Sequence, residues 1–201
     1  MIIIREQDES NDYKEVMEME EKNYNYIQEH IENVKKAYNE YFVGKTILIS
    51  SVSEEELDLA IRSIANEIVD HDKSKFSDEE FYAYRKKYYP TNGESKKLET
   101  DEVYADLVEQ EYQKAWNHHF TTNDHHPKYW KVINGKFDKS NTPTDMSLGA
   151  IIHMICDWQA MSYKFGGTVL EWYNTKADDE KSYMSERTRS ITEEIMSFIY
   201  K

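Results

Sequence analysis

The sequence predicts an all-α fold, a single-domain helical bundle, on three observations. Apolar residues recur at helical spacing along Ile27, Ile31, Val34, Ala37, Tyr38 and Tyr41. Ser53-Glu54-Glu55-Glu56 has the form of a capping box and opens a second apolar stripe, Leu57, Ile61, Ile64 and Ile68. A run from Met146 to Met161 is apolar nearly all round, as a central buried helix is.

In chain order, residues 1–11 read as a tail or short strand and 12–201 as the helical domain. A long helix is expected from about Asp12 to Phe42, ended at Gly44. His30 lies within its apolar face. The Ser53 helix aims His71 and Asp72 inward, because they follow Ile68 at three and four residues. Ser77-Asp78-Glu79-Glu80 reads as another capping box, with a helix through Tyr88 and a stop at Pro90. Residues 90–99 read as a polar loop. A helix from about Thr100 to His119 places Tyr104, Val108, Tyr112, Ala115 and His119 on one face. Residues 131–143 read as a long polar connection. Thr144-Asp145 begins the apolar helix, Gly166-Gly167 breaks the chain, and a last helix starts near Ser185. Ile47-Leu48-Ile49 is a candidate isolated strand, and no strand pair is expected.

Net charge is −14, which sets the surface against duplex nucleic acid and anionic membranes. A small anionic substrate is still compatible, since a bound divalent cation reverses the local field. The single cysteine, Cys156, permits no intramolecular disulfide and suits a reducing compartment. No signal peptide or membrane-length run is evident, so cytoplasmic residence is the expectation. Oligomeric state is left open, a homo-oligomer included.

The chemistry concentrates in histidines and two aspartates. His71-Asp72 offers a neutral nitrogen and an anionic oxygen to one ion, a donor set suited to Mn, Fe, Zn or Mg. Four of the seven histidines are His118, His119, His125 and His126. Asp157 sits in the most apolar helix, where an unpaired carboxylate costs several kcal/mol. It needs a metal, a proton or donors. His153, four residues earlier on the same helical side, reads as a supporting partner or a core histidine.

The order His30, His71-Asp72, Asp157 resembles the HD-domain superfamily of metal-dependent phosphohydrolases, across about residues 26–165. The segment from His118 to Pro127, and Ser74-Lys75-Phe76 after the doublet, are similar to an uncharacterised bacterial and phage branch of it. The resemblance implies an HD-like bundle in which His30, His71, Asp72 and Asp157 hold a divalent metal. His119 with His125 or His126 would hold a second ion, where two are bound. It implies hydrolysis of a nucleotide or other small phosphoester, with Asp72, Lys75 and His126 as catalytic residues. Lys75 would neutralise a phosphoryl oxygen, with Lys73 a weaker candidate, and His126 would protonate the leaving group. His118 and His125 are alternatives for that proton, and Asn123 would orient a ligand. Tyr129 and Trp130 would pack the loop or stack on a base. The alternatives are a di-iron oxygenase of HD type and a non-catalytic metal-binding regulatory module.

Overall fold

The computed structural model describes residues 11–201 and is all-α apart from one small hairpin. The tail expected for residues 1–11 lies outside the described residues, except that Asn11 opens the first helix. The helices are α1 (Asn11–Tyr41), α2 (Glu54–Ser63), α3 (Ala65–Val69), α4 (Phe81–Tyr88), α5 (Asn92–Thr100), α6 (Glu102–Thr122), α7 (Leu148–Phe165), α8 (Val169–Lys176), α9 (Asp178–Ser182) and α10 (Glu186–Ile199). The hairpin pairs β1 (Val132–Ile133) with β2 (Lys136–Phe137), antiparallel. The chain divides into two compact units. One holds α1 up to Gln28 together with Lys73–His119; the other holds Glu29–Asp72 and Phe120–Lys201.

In the first unit, α4, α5 and most of α6 are joined by ion pairs and aromatic rings. Arg85 is buried, and its guanidinium grips both carboxylate oxygens of Glu94. Glu94 also accepts from the Thr91 N–H at 2.8 Å, while the Glu94 N–H donates to Thr91 Oγ1 at 3.2 Å. That reciprocal cap makes α5 a helix where its polar composition suggested a loop. Ser77 does not cap α4 as expected. The helix starts at Phe81, whose N–H donates to the Ser77 carbonyl, and Glu80 turns inward.

In the second unit, α7 is the central element. Ile151, Ile152, Ile155, Cys156 and Ala160 are fully enclosed, each large one contributing about 1.5–3 kcal/mol of burial. The helix begins at Leu148, capped by the Ser147 hydroxyl, three residues later than the sequence suggested. Its neighbours include α2 and α10. Gly149 permits the approach to α2: a Cβ there would sit 2.6 Å from Ile64 Cγ2. The expected single helix from Ser53 is interrupted at Ile64 and resumes as α3. Ser63 Oγ donates back to the Ala60 carbonyl at 2.9 Å, a side-chain bond that competes with the helical ladder and bends it.

Residues 131–143 are not a featureless connection. Asn134 and Gly135 both have positive φ, 52° and 74°, the combination that turns two strands back with their natural twist. Ile47-Leu48-Ile49 forms no strand; Ile47 is buried and Leu48 exposed. The stretch after Gly167 carries α8 and α9 before α10, which Ser185 caps as expected. No helix among the described residues is long and apolar enough to cross a membrane.

Candidate metal centre

The doublet follows α3 directly. Successive side chains on ordinary backbone diverge, by about 100° on a helix. Here Asp72 adopts φ 53°, in the left-handed region, and both side chains turn to one place. His71 and Asp72 are 1% and 2% exposed, with His71 Nε2 3.3 Å from Asp72 Oδ2. Aspartate tolerates that backbone better than most residues, yet it is a strained choice of the kind found where function fixes geometry.

α1 and α7 complete the group. His30 Nε2 lies 2.9 Å from Asp157 Oδ1, 3.1 Å from His71 Nε2 and 3.7 Å from Asp72 Oδ2. His71 Nε2 is 3.8 Å from Asp157 Oδ1. Donors about 2.1 Å from a shared ion stand about 3.0 Å apart in an octahedron and about 3.4 Å in a tetrahedron. The separations bracket those values. His30, His71 and Asp72 each offer a ligand atom within 4.8 Å of one another, and Asp157 Oδ1 faces both imidazoles, so the residues fit a divalent cation.

The histidine next in line sets the ring orientation. His71 Nδ1 and His153 Nε2 are 2.8 Å apart, so one proton lies between them. With that proton on His71, its Nε2 carries the lone pair that faces His30, Asp72 and Asp157. His153 was expected to be either a supporting partner or a core residue, and it is both buried and hydrogen-bonded to His71. Burial pushes the His71 imidazole down to about 4, which keeps it neutral, the form that ligates. Burial pushes the Asp157 carboxyl up, but the His30 hydrogen bond and the surrounding histidines outweigh it. The net shift holds Asp157 below the usual carboxylate range.

Of the later histidines, His125 is buried, with Nε2 3.5 Å from Asp72 Oδ1, the oxygen opposite to the one facing His30 and His71. Its ring lies 4.3 Å from that of half-buried His126. Asp72, His125 and His126 each offer a ligand atom, within 4.8 Å of one another. Trp130 holds this loop, donating from Nε1 to the Asp124 carbonyl at 2.7 Å, and packs against the apolar core with Tyr129 beside it. Asn123 donates to Thr122 Oγ1.

His118 and His119 belong to the first unit, where both meet Glu80. His118 Nδ1 is 2.7 Å from Oε1 and His119 Nδ1 is 2.9 Å from Oε2. Burial pushes the Glu80 carboxyl up, but the two histidines prevail and hold it low. An anionic Glu80 fixes both protons on Nδ1 and leaves the lone pairs on Nε2. Sequence reasoning missed Glu80, because it reads as the last acid of a capping pattern. Lys75 lies in the same unit, half-buried, with Nζ 5.6 Å from the centre of the Tyr84 ring. Lys73 is exposed.

No curated protein and no solved structure matches the chain. A family model does match, over residues 19–198, which takes in every ligand candidate named above. The chain belongs to that family, DUF5662, a family of unknown function.

Proposed function

We propose that the protein is a metal-dependent phosphohydrolase acting on a nucleotide or another small phosphoester. The reading rests on the convergence of His30, His71, Asp72 and Asp157, with separations of 2.9–3.8 Å, in the order that resembles HD-type phosphohydrolases. A divalent ion there, Mn, Fe, Mg or Zn, would supply Lewis-acid polarisation of a phosphoryl oxygen and a water of lowered pKa. The protein's own residues do the rest. His71 Nδ1 is held by His153, so the His71 Nε2 is oriented before substrate arrives. Hydrolysis breaks a P–O bond and leaves an alkoxide that must gain a proton. His126, half-buried beside His125, is the group assigned to give it. A net charge of −14 favours a small substrate over a polyanion, whose many phosphates would meet acidic surface beyond the centre.

One observation favours a second reading. The two oxygens of Asp72 face different groups, Oδ2 toward His30 and His71 and Oδ1 toward His125. A carboxylate so placed can bridge two ions, which suits a two-metal hydrolase and equally an oxygen-activating di-iron centre. The test uses protein purified without a histidine tag, loaded with Mn or Fe, and assayed against nucleotides and simple phosphoesters. Turnover abolished by Asp157→Ala is the expected result. Iron-dependent oxygen consumption with no phosphoester turnover would instead establish the second reading. Metal-loaded protein that does neither leaves a non-catalytic metal-binding role.

A further inference from the structure

A second group of donors lies in the same unit and shares with the four-donor centre only His153, the hydrogen-bond partner of His71. His153 offers a ring nitrogen within 4.8 Å of one carboxylate oxygen each from Glu67 and Asp124. Its Nε2 is engaged by His71, and its Nδ1 is buried with no hydrogen-bond partner among the described residues. A side chain only 4% exposed with an unmatched ring nitrogen needs an explanation. Glu67 stands on α3 one turn before His71 and is exposed, so an ion could arrive from solvent. Asp124 is half-buried in the loop that Trp130 holds. Burial and the facing Asp124 charge both push the Glu67 carboxyl up, as expected of two acids with no cation between them.

We propose that Glu67, Asp124 and His153 form a second divalent-cation site that competes with the centre at His30, His71, Asp72 and Asp157. Two carboxylates and one neutral imidazole balance a charge of two, and the donor set suits Zn or Mn. Competition follows from the single proton between His71 and His153. An ion on His153 Nδ1 takes the lone pair there and places the proton on His153 Nε2. The hydrogen bond then runs from His153 to His71 Nδ1, and the proton displaced from His153 Nδ1 is balanced by one taken up at His71 Nε2, so both rings stay neutral. That nitrogen is the one the four-donor centre needs bare. Each ion thus selects the tautomer that weakens binding of the other. The proposed coupling rests on the four-donor reading of the first centre; the second donor group does not.

The test is calorimetric titration of the metal-free full chain with Zn²⁺, with bound ion counted by elemental analysis. Wild type is expected to show a tight step and a step at least about 10-fold weaker, 1.4 kcal/mol apart or more. Glu67→Gln with Asp124→Asn should remove only the weak step. Both changes are outside the apolar core, and helical circular dichroism should be unchanged. His30→Ala with Asp157→Ala should remove the tight step and tighten the other. A single step in wild type, or an isotherm unaltered by Glu67→Gln with Asp124→Asn, overturns the second site. A weak step that fails to tighten in His30→Ala with Asp157→Ala overturns the competition. A tight step surviving that second pair sinks the four-donor centre instead, so the two failures are distinct.

Discussion

The two histidine clusters use the same residue types to opposite ends. In the first unit, one carboxylate meets two N–H donors, and each oxygen of Glu80 receives one of them, from His118 and His119. In the second unit, His30 and His71 present Nε2 to each other at 3.1 Å, with an oxygen of Asp157 and one of Asp72 alongside. That cluster gathers ligand atoms that could hold a cation. Partner geometry, not histidine content, separates the two clusters.

The contrast is broken most sharply by deletion. Asp157→Ala should lower metal affinity by more than about 100-fold, since an anionic ligand is lost from a buried site. Glu80→Gln should leave the ion at the four-donor centre in place. Dialysis against chelator followed by elemental analysis reads both, and equal metal loss in the two variants would erase the distinction.

Acid should act next most strongly, on the metal-free protein. The folded His71 pKa is lowered from 6.5 to about 4, so the unfolded chain binds more protons in between. Stability is therefore full above about pH 6.5, falls as pH drops, and levels off near pH 4. The loss at pH 4.5 should be about 2.5 kcal/mol from His71 alone, and His153, also lowered by burial, adds in the same direction. Urea midpoints at pH 7 and 4.5 measure it, and an unchanged midpoint would show that His71 is not buried neutral.

Glu80→Ala should cost about 1–3 kcal/mol, because it strips two buried or half-buried imidazoles of their acceptor. The measurement is the same urea titration at pH 7. Gly149→Ala should cost about 1–3 kcal/mol through the Ile64 clash, at or below the Glu80 effect. Because α7 carries His153 and Asp157, that variant should also weaken metal binding, whereas Glu80→Ala should lose stability alone.

Much of the centre was legible in the sequence. A histidine on an apolar face, a doublet at the end of an apolar stripe and an aspartate in an enclosed helix all violate hydrophobic patterning, and violations point to function. Glu80 was hidden because its local pattern, Ser-x-x-Glu, has a sufficient local explanation; its partners lie 38 and 39 residues away. The hairpin was hidden for the opposite reason. Asn134-Gly135 is a turn signal, but strands of two residues give no alternation to read. α5 was masked by Gly93 and polar composition, though Thr91 and Glu94 carry the cap. The break at Ile64 has no glycine or proline to announce it and rests on Ser63 bonding back to Ala60. Local rules find elements; which acid meets which histidine is decided by packing.

Anomalous diffraction from crystals grown with Mn²⁺ or Zn²⁺ tests the central claim most directly. The account predicts a peak about 2.0–2.3 Å from His30 Nε2, His71 Nε2, Asp72 Oδ2 and Asp157 Oδ1 together. An ion bound elsewhere, with those four side chains hydrogen-bonded to one another instead, would contradict it.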